Sequence, residues 1–363
     1  MKSTNTWILM FHKSEVAFIS SNGKVDILRE DLLPYNIYLE ESNDIDALIN
    51  NITNFYAWCS SRILSLDRVY AKQIMNSIGI KQAVTDKDRV EIALSYNCVS
   101  LRDQYWVKES NSDVSYDDIN LFDNSLGNII DVSLRGKSII LTNLNLITKD
   151  LTTNGTRPKS WVRKGDSFEL YKDDSDNKEV RASNALISLG FDVLKYFPVA
   201  YDSTACSKCN CFTSKELNYV TAGEYECTYE VSFLIKTYFY KQFMTMLLCD
   251  YLIGNSDRHQ DNWGFLFNND RVITSFAPIH DFDHAFEADV NSLCLPMLLF
   301  GERESTLTSA RRAVNCLGIN KDALLNNVSD EYVRDRIELL FENPDKPNRE
   351  SLLDKVVKEA QQM

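Results

Sequence analysis

Glycine and proline are scarce in this 363-residue chain, at 12 and 7, which argues against long flexible or proline-stiffened linkers. No apolar stretch approaches the ~18 residues of a membrane span, so no membrane association is expected. The short run Trp7–Phe11 is broken at once by His12-Lys13-Ser14-Glu15, so the N-terminus lacks the apolar core of a signal peptide. Basic residues are outnumbered, with Lys+Arg 39 against Asp+Glu 52 and a net charge of −13. Such a chain is a poor direct ligand for a nucleic-acid backbone. Nine cysteines are an odd number scattered over a large chain, which excludes a disulfide framework and fits free thiols in a reducing cytoplasm. Repeats, heptads and low-complexity tracts are also missing.

What remains is ordinary globular material, 44% hydrophobic and 25% charged, long enough for two or three structural units. Trp7–Phe11, Val16–Ser20 and Lys24–Leu28 read as strands, and Ser21-Asn22-Gly23 as a tight hairpin. Helices are predicted over 45–64, 67–78 and 89–96, the last announced by Thr85-x-x-Asp88. Residues 1–140 therefore read as a small α/β subdomain with its own core. Residues 141–212 read as a strand-rich lobe interrupted by one helix, Lys178–Leu189, stopped by Gly190. Residues 213–363 read as a helical lobe in which Phe239, Phe243, Met246 and Leu247 mark a buried helix face, with helices continuing through Leu352.

The chemistry concentrates in Gly254-Asn255-Ser256-Asp257-Arg258-His259-Gln260-Asp261-Asn262, which leaves an apolar helix and enters a strand alternating Trp263, Phe265 and Phe267. A hairpin follows, then Ile279-His280-Asp281-Phe282-Asp283. Phosphoryl transfer needs a carboxylate at the substrate hydroxyl, plus an amide and a second carboxylate holding Mg²⁺ against ATP phosphates. Asp257, Asn262 and Asp281 supply those groups. Each alone would be an ordinary turn or capping residue, and only their combination carries the reading. His259 reads either as a brace for the loop or as a phosphate contact.

Upstream, alternation along Ser167–Lys172 puts Lys172 on the side of Phe168 and Leu170, where an ammonium must be paired. Glu179, one helical turn before Ala182 on the apolar stripe, is its candidate partner, the pair aimed at the α/β-phosphates. A solvated strand-end lysine and a first-turn glutamate are the alternative. Thr152-Thr153-Asn154-Gly155-Thr156-Arg157-Pro158-Lys159 holds a single glycine, so it is neither a Walker A nor a GxGxxG loop. Its backbone N–H groups around Gly155, with Lys159, could cover phosphates or form a plain surface turn. Cys206-Ser-Lys-Cys209-Asn-Cys211 lacks a second cysteine pair for zinc and reads as strand and hinge between the lobes.

Thr-x-x-Gly-x-x-Pro-Lys (152–159), Lys172, Glu179, Gly-Asn-x-Asp-Arg-His-x-x-Asn (254–262) and Ile-x-Asp-Phe (279–282) together resemble the HipA-like serine/threonine kinases, bacterial two-lobed kinases that include toxins of toxin–antitoxin pairs. Ser100–Lys108 resembles a segment of HipA-related proteins of unassigned function, and the Asp-Arg-His-x-x-Asn run is similar to the catalytic loop of phosphoinositide 3- and 4-kinases. The resemblance implies an α+β, two-lobed protein-kinase-like fold with an extra N-terminal α/β subdomain. It implies an ATP- and Mg²⁺-dependent transfer to a protein serine or threonine hydroxyl. Asp257 would be the catalytic base, Asn262 and Asp281 the Mg²⁺ ligands, Lys172 the phosphate clamp oriented by Glu179, and Gly155 part of the phosphate-covering loop. Thr152 stands in for the family's autophosphorylated serine, and Asp283 for the glycine of Asp-Phe-Gly. A small helix-turn-helix antitoxin is the partner that such a kinase implies. The alternatives are a small-molecule or phosphoinositide kinase, and a nucleotide-binding pseudokinase acting as an interaction module.

Overall fold

The computed structural model describes residues 5–77, 85–124, 133–134 and 157–342. Thr152, Gly155 and Leu352 lie outside the described residues. Three antiparallel sheets and a set of helices make a mixed α+β architecture.

The first sheet comprises β1 (Thr6–Phe11), β2 (Ser14–Ser20), β3 (Val25–Ile27) and β4 (Tyr105–Glu109), in the order β3-β2-β1-β4. Gly23 at φ +85° turns β2 into β3 as the Asn-Gly signal requires, and any Cβ there would strike the backbone of Leu48. Helices α1 (Ile45–Ser61), α2 (Ala71–Ser77) and α3 (Asp86–Ser95) follow, and α4 (Tyr116–Ile119) comes after β4. Two helices are shorter than their sequence predicts: α1 ends at Ser61 and α2 begins only at Ala71, after Tyr70 at φ +66°. The capping box of α3 forms with aspartate in place of glutamate, Thr85 and Asp88 each bonding the other's backbone N–H.

The second sheet, ordered β5-β6-β8-β7, holds β5 (Lys159–Lys164), β6 (Ser167–Asp173), β7 (Phe197–Tyr201) and β8 (Thr204–Asn210), with α5 (Lys178–Ser188) between β6 and β7. The third, ordered β11-β10-β9, is made of β9 (Leu217–Thr221), β10 (Gly264–Asn268) and β11 (Ile273–Phe276). Between β9 and β10 run α6 (Ala222–Glu226), α7 (Val231–Leu234), a π-turn (Ile235–Phe239) and α8 (Tyr240–Ile253). After β11 come a 3₁₀ segment at Leu295–Phe300, α9 (Thr306–Leu317), α10 (Lys321–Leu325) and α11 (Glu331–Leu340). Among the described residues no helix is long and apolar enough to cross a membrane.

The separate core expected for the N-terminal unit is instead continuous with the rest. Every residue of β1 after Thr6 is buried, because both faces are covered. Trp7, Leu9 and Phe11 join a cluster that runs through Phe243, Leu247, Phe265 and Phe267, while Ile8 and Met10 join Trp106, Phe122 and Phe168. Phe11 stacks on Phe267 at 6.4 Å between ring centroids, and Tyr35 meets the same ring edge-on at 5.4 Å. A unit welded through aromatic rings on this scale is held against the helical part, not tethered to it.

Candidate active site

The cleft begins with strand register. Lys159 on β5 lies opposite Lys172 on β6, and Lys172 lies opposite Ser207 on β8, so all three side chains share one face. Leu170 and Cys209 continue that face and line the same cleft. Cys206 is of the other parity along β8 and therefore faces away, which separates it from Cys209 and Cys211. The segment after Asn210 leads from the second sheet into β9 of the third, so this stretch is the strand and connection that its sequence predicts.

Lys172 and Glu179 are 5% and 1% exposed and paired at 2.7 Å. Ser207 Oγ donates to the other Glu179 oxygen at 2.5 Å. Lys172 Nζ also reaches Asp281 Oδ1 at 2.6 Å, tying the sheet to the segment after β11. Burial alone would lower the lysine pKa, but Asp281 and Glu179 outweigh it and raise it well above its ordinary value. Burial would likewise raise the Asp281 carboxyl, but Lys172 and Lys159 hold it well below the usual carboxylate range. Both groups are therefore charged at neutral pH. Lys159 has no such carboxylate of its own, and burial with the neighbouring Lys172 pushes it down to about 8.

Asp281 adopts φ +64°, a left-handed conformation that aspartate tolerates better than most residues, and its backbone N–H donates to the Tyr196 hydroxyl at 3.2 Å. Asp283 is not among the positive-φ residues, so the backbone here has no need of the glycine that many kinases carry after Asp-Phe. Its carboxylate instead pairs with Arg157 Nε at 2.8 Å, and Arg157 Nη2 donates to the Asp283 carbonyl at 2.8 Å. That contact spans the cleft from the start of the second sheet.

Opposite, α8 ends at Gly254, φ +59°, and delivers the polar loop. Asp257 and His259 are both about half exposed, with His259 Nε2 3.7 Å from Asp257 Oδ2. Asn262 donates its amide N–H to the Asp257 carbonyl at 2.9 Å, which leaves Oδ1 as the atom free to ligate. Both His259 and Arg258 brace the loop, His259 by accepting the Asp261 N–H at Nδ1 at 3.2 Å. Arg258 is 4% exposed, forks onto Asp250 at 2.9 Å through both Nε and Nη2, and spends Nη1 on the carbonyls of Asn262 and His280. Asp250 was not singled out by the sequence. Its only signal is a carboxylate inside the otherwise apolar run from Met246 to Ile253, at a position where burial demands a cation.

Asp257, His259, Asn262, Asp281, Lys159 and Lys172 thus line one cleft of about 590 Å³, together with Arg157, Asp261, Asp283 and the connection Asn210–Thr213. The N-terminal unit lines it too, through Asn36, Ser61, Ser100, Leu101 and Arg102. Thr213 Oγ1 donates to the Leu101 carbonyl at 2.6 Å, placing the Ser100–Lys108 segment against the inter-sheet connection. Glu179 sits behind Lys172 and is reached only through it.

His280 gives the site a pH signature. Burial drives its pKa from 6.5 down to about 4, against the carbonyl of Pro278 at 2.7 Å from Nδ1. Between those values the unfolded chain binds the proton and the folded one does not, so stability rises with pH across that window. Thermal melts should show stability falling as pH drops from 6.5 towards 4. His280→Gln should flatten that slope, and an unchanged slope would remove His280 as its source.

No family model and no curated protein matches this chain. Among solved structures it is similar to the HipA chain of the Shewanella oneidensis MR-1 toxin–antitoxin complex of HipA, HipB and operator DNA. That match has 12% identity and a TM-score of 0.49, and covers 98% of this chain and 95% of the other. It is also similar to the Helicobacter pylori proinflammatory kinase CtkA, at 18% identity and a TM-score of 0.37, over 50% of this chain and 88% of that one. Both overlaps are loose, and neither assigns an activity to this chain.

Proposed function

We propose that this protein is an ATP- and Mg²⁺-dependent kinase of HipA-like type that phosphorylates a protein serine or threonine hydroxyl. The observation that carries this reading is the buried Lys172 bridging Glu179 at 2.7 Å and Asp281 at 2.6 Å, in a cleft that Asp257 and Asn262 also line. A lysine held between two carboxylates is a fixed cation, suited to nucleotide phosphates. Lys159 and Arg157 add positive charge on the same wall.

The donor set fits magnesium. Asn262 offers an amide oxygen, and Asp281 keeps one carboxylate oxygen beyond the one that Lys172 occupies. Among the described residues no three His, Cys, Asp or Glu are grouped to hold a metal by themselves. A hard cation with two protein oxygens takes its other ligands from phosphates and water, and would supply charge neutralisation for the transferring group. Asp257, half exposed and lining the cleft, would orient an incoming hydroxyl and accept its proton.

The protein incubated with γ-labelled ATP and Mg²⁺ should pass label to serine or threonine of itself or of an added protein. Label appearing only in lipid vesicles or small solutes would move the assignment to another acceptor class. ATP·Mg²⁺ that raises the melting temperature without any transfer would make the protein a pseudokinase.

A further inference from the structure

Glu179 is only as well placed as α5, whose buried side carries Val180, Ala182, Ala185 and Leu186. Its cap residue Asn177 is left-handed at φ +55° and makes no side-chain cap, so Asp174 takes the N–H groups of Glu179 and Val180 at 3.3 and 3.4 Å. Further polar contacts of α5 lie outside the cleft. Arg181 forks onto Asp330, Nε to Oδ2 at 2.7 Å and Nη2 to Oδ1 at 3.0 Å, and its guanidinium carbon stands 3.9 Å from the Phe286 ring centroid. Lys178 adds an ion pair to Glu287, which also accepts from Ser256 Oγ at 3.1 Å.

Asp330 caps α11, accepting from the Val333 N–H at 3.3 Å. Two residues on, Tyr332 packs edge-on against Phe286 at 5.2 Å, and its hydroxyl lies so close to Gly254 that no Cβ fits there. Gly254 opens the loop that carries Asp257. One helical turn therefore touches both the helix bearing Glu179 and the start of the loop bearing Asp257.

We propose that the first turn of α11 is a positioning element for phosphoryl transfer, with Arg181 and Asp330 as the positioning residues that register α5 against the catalytic loop. This rests on the kinase reading above. A partly exposed ion pair adds little to stability. A small sideways shift of α5, however, would open the 2.7 Å contact between Glu179 and Lys172, and ångström-scale misplacement costs rate out of proportion to stability.

The test compares wild type with Arg181→Gln, Asp330→Asn, the double variant and Arg181→Lys, by steady-state labelled-ATP transfer and thermal melts. Asparagine keeps the cap at position 330, so that variant removes the charge without uncapping α11. Each single variant should lose about ten- to a hundredfold in kcat, while the melting temperature moves by only a few degrees, about what a small stability change gives. The double variant should be no worse than the singles, because both break one contact. Arg181→Lys should recover part of the loss. Active wild type with singles within about twofold of it, or losses that multiply in the double, overturns the proposal alone. A wild type that transfers no phosphate overturns the kinase reading and this proposal with it.

Discussion

Asp281→Ala should abolish phosphate transfer, a fall of at least ~10³-fold, while the protein stays folded. The carboxylate has two tasks in the proposed reaction: it fixes Lys172 through the 2.6 Å contact, and it offers the cleft the oxygen that Lys172 leaves over. Alanine removes both at once. The fold survives because Lys172 keeps Glu179, so no buried charge is stranded. Asp281→Asn separates the two tasks. Its amide oxygen can still accept from Lys172, yet its charge is gone, so it should be nearly as inactive while melting close to wild type. Labelled-ATP transfer measures the rate and circular dichroism the fold. A purified, folded Asp281→Ala protein that phosphorylates at a wild-type rate would remove Asp281 from the proposed reaction.

The largest effect on stability is expected at Asp250, outside the cleft. Asp250→Ala leaves the Arg258 guanidinium buried without a counterion and should cost about 3–5 kcal/mol in denaturant unfolding. Transfer should fall as well, because Arg258 Nη1 joins the Asn262 and His280 carbonyls and so sets the distance between the loop and the Asp281 segment. The double substitution Asp250→Leu with Arg258→Met tells the two effects apart. An apolar pair of similar volume should restore most of the stability, but neither carbonyl regains its donor, so transfer should stay low. Full recovery of both would show that the pair serves stability alone.

Much of the fold is legible in local pattern. The alternation of β6 around Lys172, the apolar run of α8, the Trp263–Phe265–Phe267 strand and the Thr85 cap all depend on near neighbours, and each forms where its sequence predicts. Strand β9 was not foreseen, since Leu217–Thr221 gains its strand character from pairing with β10, more than forty residues on. Local pattern in residues 1–140 predicts an independent core because it carries no information on long-range contacts. Burial on both faces of β1 depends on Phe267 and Phe168, which local pattern does not reveal.

The candidate site divides in the same way. Residue type and spacing identify Asp257, Asn262 and Asp281, and strand period places Lys172 on a buried face. Which groups answer which charges is a matter of distance in space. Local pattern does not pair Arg258 with Asp250, which lies across from it at 2.9 Å, or Arg157 with Asp283 at 2.8 Å.

The chain's order of residues alone determined a run of strands and helices and a small set of candidate polar groups, because helix and strand periods and side-chain chemistry are local properties. The tertiary structure decided that Lys172 is shared by Glu179 and Asp281, that Arg258 is a brace, and that α11 reaches both α5 and the start of the Gly254–Asn262 loop. Coulomb energy in a low-dielectric interior depends on separation and burial, and both are set only when distant segments pack.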